Sequence, residues 1–294
     1  MTTRGTAPAP VDLLLDSLAP DAPTRVADVG ANPLSPPPYQ DLLERGGCHV
    51  YGFEPQPEAF ADLQRSATAY ETYFPAAVGD GGEVELKIYN DSGLTSVFAP
   101  EMGPIRFLGR SRHNIGIRER VTMETRRLDA IDEIERIDLL KIDVQGAEVD
   151  VFRGARRKLR DCLAVITEVR FLQLYQGEPM IAGIDAELRA QGFEFHKFLF
   201  LKEKVIPNSQ IHRLRRPRHR NQVIDGDAVY IRDMGTPEAF TDEDLKHMAI
   251  LAAGVIESHD LVLHCLDHLV ARGAAPADLP SRYVDGLPAD LRKD

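Results

Sequence analysis

The chain is short of positive charge: 35 Lys and Arg stand against 46 Asp and Glu, a formal net charge of −11 over 294 residues. Phosphate contacts need concentrated cations, so a general nucleic-acid-binding role is excluded. Cysteine is scarce as well. Cys48, Cys162 and Cys265 are widely spaced, with no CxxC or Cys/His pattern, which argues against zinc and reads as three reduced core thiols. No run approaches the roughly 18 apolar residues of a membrane span, and the opening MTTRGTAPAP lacks the apolar stretch of a signal peptide. A cytoplasmic protein with no membrane partner is therefore expected. The GxGxxG of a dinucleotide site is missing too, which argues against a nicotinamide-dependent oxidoreductase.

What is present is globular: 43% hydrophobic and 28% charged residues can bury a large core. At roughly 150 residues per domain, the length suits one large domain with an appendage. The expected division is a leader and helix over residues 1–24, an α/β domain over 25–233 and a helical tail over 234–294. Within the leader, VDLLLDSL (residues 11–18) has helical spacing and is expected to pack on the sheet and help close a ligand site.

Apolar strand-like runs at residues 25–30, 49–53, 72–78, 137–143, 163–169, 193–201 and 227–232 alternate with helical patterns at 39–45, 57–67, 147–159 and 181–191. Such alternation implies a largely parallel Rossmann-like sheet covered on both faces, with ligands at the carboxyl ends of its strands. The EVELKIY run at 83–89 follows a DGG turn and reads as an inserted antiparallel element, with a further strand at 121–128. Residues 91–116 read as loops that cover a site.

Three segments carry chemistry. In DVGAN, Asp28 to Asn32, a glycine follows a buried strand and lets the backbone approach a nucleotide-like ligand. In GFEP, Glu54 ends the second strand 26 residues after Asp28 and precedes Pro55, where an acid can accept both hydroxyls of a ribose. In DLLKIDVQGAE, a buried strand delivers Asp143 to its carboxyl end and turns at Gly146 into a helix. Lys141, inside that strand, calls for a carboxylate partner because lysine is seldom buried alone. Glu148 stands where it would complement a helix dipole. The NDSGLTSV loop offers Ser92, Thr95 and Ser96 as donors near the same edge, or is turn chemistry alone.

These three segments, in this order and spacing, resemble the FkbM-type methyltransferases. The resemblance runs from about residue 26 to 233 and includes AAVGDGGEVEL, ITEVRF and the closing DAVYIRD. It implies a Rossmann-like class I methyltransferase fold, a seven-stranded, mostly parallel sheet whose last strand is antiparallel, and S-adenosylmethionine-dependent O-methylation of a sugar or natural-product hydroxyl. By the same resemblance Asp28, Gly30, Ala31 and Asn32 line the methionine end and Glu54, with Pro55, holds the ribose. Val78, Gly79 and Asp80 flank the adenine, and Asp143 stands near the methyl group. The chain departs from the family at Asn32-Pro33-Leu34, since the family usually has a glycine two residues after the Asn. Proline fixes φ and donates no hydrogen bond, so a differently shaped pocket covered by Tyr39 is expected.

An alcohol acceptor must lose a proton, so a base is needed. Asp143 and Glu168, at the ends of adjacent expected strands, are the candidates, one as base and one as orienter. They could equally hold Mg²⁺ through oxygen ligands, although no metal is assigned. His113, His196, His212 and His219 are alternative bases. The basic segment at 211–220, IHRLRRPRHR, is either a solvated loop or a patch that draws an anionic acceptor. The tail's apolar residues between 245 and 270 pack within the chain or between copies in a homo-oligomer. A catalytically silent S-adenosylmethionine-type module that docks a partner is the alternative, and Pro33 is the feature that favours it.

Overall fold

The computed structural model describes residues 10–31, 36–109 and 116–293. In chain order, α1 (Pro10–Leu18) leads to β1 (Thr24–Val29), α2 (Gln40–Glu44), β2 (Cys48–Phe53), α3 (Pro57–Ser66) and β3 (Glu71–Phe74). Then come β4 (Ala77–Val78), β5 (Glu83–Tyr89), α4 (Met102–Phe107), β6 (Ile117–Arg126), β7 (Leu139–Ile142), α5 (Glu148–Gly154) and α6 (Arg156–Leu159). The chain continues through β8 (Ala164–Arg170), α7 (Ile181–Ala190), β9 (Phe193–Lys204), β10 (Gln222–Arg232), α8 (Asp242–Leu251), α9 (His259–Ala271) and α10 (Leu279–Asp285).

Seven strands form the main sheet in the order β3-β2-β1-β7-β8-β10-β9. Only β10 runs antiparallel to its neighbours. The order reverses between β1 and β7, the switch point at whose carboxyl ends such sheets are expected to take a ligand. β4, β6 and β5 form a separate three-stranded sheet, with β5 antiparallel to β6 as the inserted element was expected to be.

Successive strand residues face opposite ways. Val26, Leu139, Ile166 and Val229 therefore join one apolar layer with α1, α2, α8, α9 and α10, while Ala27, Leu140, Val165 and Ala228 join another with α5 and α7. Central strands buried on both faces read as continuous apolar runs, which is why they were visible in the sequence. The tail lies in the first layer. Leu245, Met248, Ile250, Leu251, Leu261, Leu266 and Leu269 are all buried within the chain.

The structure departs from expectation in four places. The strand expected over 72–78 divides into β3 and β4, separated by Pro75, which cannot donate to a ladder. The helix expected over 147–159 breaks at Ala155, which leaves the helical region at φ −121° and ψ 11°. β10 begins five residues before the expected start at 227, because Gln222 to Gly226 pair with β9 even though their polar residues do not look like a strand. Finally, α1 does not reach the carboxyl ends. Leu15 packs on Gly47 and Asp12 pairs with Arg45, both just before β2, so the helix lies by the strands' starting ends.

Candidate active site

β1 delivers the chain to Gly30 at φ +82°, a conformation that favours glycine. A Cβ there would stand 2.1 Å from the Asp143 carbonyl oxygen, so the loops after β1 and β7 meet backbone to backbone. The amides of Gly30 and Ala31 both donate to the Phe53 carbonyl at 3.1 Å, tying the end of β2 to the same point. Asn32 and Pro33 lie outside the described residues.

Asp28 is buried and shares a sheet face with Lys141, its register partner. The Lys141 ammonium sits 3.0 Å from Asp28 Oδ1, which supplies the carboxylate partner expected for a strand lysine. The Tyr39 hydroxyl donates to Asp28 Oδ2 at 2.5 Å. Burial and the adjacent Asp28 charge hold the phenol proton on. For Lys141 burial works against the charge, but Asp28 and Asp143 overcome it and raise its pKa. Tyr39 thus covers the end of β1, close to where the sequence placed it.

Glu54 directly follows β2 and is buried. Its Oε1 accepts the Gln56 amide at 2.8 Å, and among the described residues no donor reaches Oε2. Burial raises its pKa. The Glu54 amide donates to Phe74, so the end of β3 lies alongside. From there the chain runs through β4 to Val78, which is buried, then Gly79 and the exposed Asp80. A Cβ on Gly154 would stand 2.0 Å from the Gly79 carbonyl, so α5 packs directly on this turn.

The largest concentration of charge lies where β7 and β8 end and β10 begins. Asp143 is exposed at the end of β7, and its amide donates to Val29 at 3.1 Å. Gln145 turns left-handed at φ +55° and is followed by Gly146 at +111°, a double reversal that folds its side chain back over the strand ends. Its amide nitrogen donates to Asp143 Oδ1 at 2.8 Å and to Glu168 Oε2 at 2.9 Å, bridging the two carboxylates. Its carbonyl side accepts from Arg170 at 2.6 Å and Tyr175 at 3.3 Å, and its backbone oxygen accepts from the Ser96 hydroxyl at 2.6 Å. Ser96 is therefore one of the expected loop donors that does reach this edge.

Arg170, 3% exposed, is the cation at the centre. It pairs with Glu168 at 2.7 Å, Asp225 at 2.9 Å and Glu178 at 3.4 Å. Burial, and then the like charge of Asp143, push Glu168 well above the usual carboxylate range despite Arg170. Asp227, opposite Glu168 in register, is raised by burial and by Asp143. Glu148 occupies the first turn of α5 as expected but does more than face the helix dipole. It is 2% exposed, accepts the amides of Gly146 at 3.1 Å and Val144 at 3.2 Å, and is pushed up to about 7 by burial. Asp143, Glu148 and Glu168 each offer an oxygen within 4.8 Å of the others, a spacing that could hold a cation. Each of the three already has an amide donor.

The structure thus brings Asp28, Gly30, Ala31 and Asp143 to one junction, sets Glu168 beside them, and places Glu54 with Val78 to Asp80 along the β2 and β3 side. The histidines lie elsewhere: His196 bonds to Ser258 at 2.8 Å, His212 and His219 are exposed on the β9–β10 loop, and His113 is outside the described residues. Sequence reasoning missed Gln145, Arg170, Glu178 and Asp225. The Gln145-Gly146 pair directly after a strand acid was the one legible signal of a left-handed turn.

Comparison with known proteins places the chain in a family. The methyltransferase FkbM domain matches residues 28–195. A curated relative, the 2-O-methyltransferase NoeI of Sinorhizobium fredii, is 29% identical over 181 residues, which cover 54% of this chain and 69% of that protein. Among solved structures, magnesium protoporphyrin IX methyltransferase from Synechocystis PCC 6803 with bound SAM is 12% identical at a TM-score of 0.38, covering 76% of each chain. An S-adenosylmethionine-dependent methyltransferase from Mesorhizobium loti is 11% identical at 0.36, covering 76% of this chain and 95% of its own. Overlays this loose add nothing to the strand order. The domain match, spanning more than half of the chain, and the junction it covers establish that the chain belongs to the FkbM methyltransferase family.

Proposed function

We propose that this methyltransferase takes its methyl group from S-adenosylmethionine and places it on a hydroxyl of a small-molecule or glycan acceptor. The observation that carries the reading is the pair of carboxylates, Asp143 and Glu168, bridged by one amide at the ends of adjacent strands, next to the backbone contact between Gly30 and Asp143.

The residues fit the cofactor. Glu54 is a buried acid with one oxygen uncommitted among the described residues, suited to a ribose diol, and Gly30 lets the turn after β1 close against the Asp143 backbone beside it. Asp28, Gly30 and Ala31 would shape the methionine end, with Val78, Gly79 and Asp80 beside the adenine. When bound, S-adenosylmethionine supplies an electrophilic methyl on a sulfonium.

The chain's own task is to hold the acceptor and take up its proton. Asp143 is the exposed member of the pair and can meet a hydroxyl directly, acting as base. Glu168, tied by Gln145 and Arg170, orients that hydroxyl. Gln145 donates to both carboxylates and fixes their separation. Oxygen as the receiving atom is supported by the relative NoeI, a 2-O-methyltransferase.

Calorimetry with S-adenosylmethionine and S-adenosylhomocysteine, followed by a methyl-release assay over glycan and polyketide hydroxyl acceptors, tests the proposal. Binding of both ligands with release to a hydroxyl is expected. Binding with no release to any acceptor would make the domain the silent module considered above, and no binding would remove the cofactor assignment.

A further inference from the structure

β9 and β10 form a long hairpin that carries the most concentrated basic stretch of an acidic chain. Residues 205–224 contain no Asp or Glu but five arginines, Arg213, Arg215, Arg216, Arg218 and Arg220, with His212 and His219. Arg213, Arg215, Arg218 and Arg220 are exposed, and among the described residues none forms an ion pair. By contrast Lys202, at the base of the hairpin, is paired with Asp225. Four unneutralised guanidinium groups within eight residues repel one another, and among the described residues no carboxylate pairs with them to offset that cost.

The same hairpin exposes apolar surface. Of six large hydrophobic side chains exposed among the described residues, three lie here: Phe200 at 55%, Leu201 at 39% and Ile206 at 46%. A soluble anion would need the arginines alone. Exposed phenyl and branched aliphatic groups on the hairpin that also carries the arginines suit a layer that is anionic at its surface and apolar just beneath.

Position adds a third argument. β9 runs parallel to β8, since β10 is antiparallel to both, so the loop after β9 rises at the same end of the sheet as Glu168. The last register pair of β8 with β10 is Arg170 with Asp225, and Gln222 and Val223 pair only with β9. The hairpin therefore projects beyond the carboxyl-end crevice. We infer that the β9–β10 hairpin docks the enzyme on an anionic lipid bilayer surface, with the crevice turned toward acceptors held at that surface. The inference goes beyond the proposed function and does not depend on the identity of the base. The expectation of no membrane partner rested on the missing span, and a surface contact needs none.

The test is co-sedimentation of the full chain with vesicles of phosphatidylcholine alone and of equimolar phosphatidylcholine and phosphatidylglycerol, at low and high salt. Binding to the anionic vesicles should be at least about tenfold tighter and should weaken with salt. Substituting Arg213→Ser, Arg215→Ser, Arg218→Ser and Arg220→Ser together should reduce it by about tenfold or more, with S-adenosylmethionine affinity unchanged as the check on folding. Phe200→Ser with Ile206→Ser should lower it severalfold and leave the remainder more salt-sensitive. Equal binding to both vesicle types, or none to either, would overturn the inference. So would full release by inorganic diphosphate at matched ionic strength, because the arginines would then serve a free phosphate group.

Discussion

Two buried ionic clusters sit at opposite ends of the main sheet, one where β1 and β7 begin and one around the ends of β7 and β8, and they are built differently. At the starting end of β7, Asp138 is fully buried and accepts the Arg25 amide at 2.8 Å, the Arg25 guanidinium at 2.8 and 3.2 Å, and Arg136 at 3.0 Å. Arg136 also reaches Asp244 in the first turn of α8, so two cations meet two anions and the tail is fastened to the sheet. At the finishing end, one arginine, Arg170, faces Glu168, Glu178 and Asp225, with Asp143 and Glu148 close by. The first cluster is balanced and its carboxylate saturated, as a structural staple should be. The second carries more carboxylates than its one arginine can balance, and burial, then the like charge of Asp143, pushes up the pKa of Glu168, an arrangement that costs stability and points to chemistry.

Removing Asp138 tests the staple. Asp138→Ala strands two guanidinium groups, and the expected loss is about 3 kcal/mol of folding free energy, the low end for a buried pair because Arg25 and Arg136 keep 27% and 28% of their side-chain exposure. Chemical denaturation reads it. S-adenosylmethionine affinity of the protein that remains folded should be unaffected, and an intact stability would dissolve the contrast between the two ends.

Glu148 tests the cost of burying an acid at the finishing end. Its pKa, raised from 4.5 to about 7, means the folded state binds a proton that the unfolded state releases between those values. Its stabilising contribution is therefore complete below pH 4.5 and fades as pH rises through 7, by up to about 3 kcal/mol. Glu148→Gln keeps the acceptor for the Gly146 amide and should flatten that decline between pH 5 and 8. Thermal melts across the range would show it, and parallel curves for the two proteins would place the titration elsewhere.

Asp143→Asn tests whether the finishing end does chemistry. The amide keeps shape and most hydrogen bonds but cannot take a proton, so turnover should fall by about 100-fold or more with little change in cofactor affinity. Wild-type activity lost to a chelator and restored by Mg²⁺ would mean instead that the acids hold a cation. The smallest effect is expected at Glu54, away from both clusters. Glu54→Ala should weaken S-adenosylmethionine binding by about tenfold or more through lost charge-assisted hydrogen bonds to the ribose. An unchanged dissociation constant would move the ribose to another residue.

The layout of the main sheet was legible because β1, β2, β7 and β8 are short, apolar and bounded by turn residues, and burial on both faces leaves continuous hydrophobic runs. Asp28, Gly30, Glu54 and Asp143 were legible for a related reason: each sits at a strand end, where register alone fixes a side chain's place. The division of residues 72–78 and the early start of β10 were not, because pairing with β6 and with β9 decided them against the local pattern. Nor was the location of α1, since an apolar helical stripe shows that a helix is covered without showing by what.

By itself the sequence determined the α/β alternation and which acids follow the strands, because these follow from periodicity and from which residues end strands. Tertiary structure alone decided which charges meet. Gln145 bridges Asp143 to Glu168 only because a left-handed turn folds it back, and Arg170 gathers Glu178 and Asp225 across 8 and 55 residues of chain. Ion pairing depends on distances of a few ångströms, and separation along the chain carries no record of them.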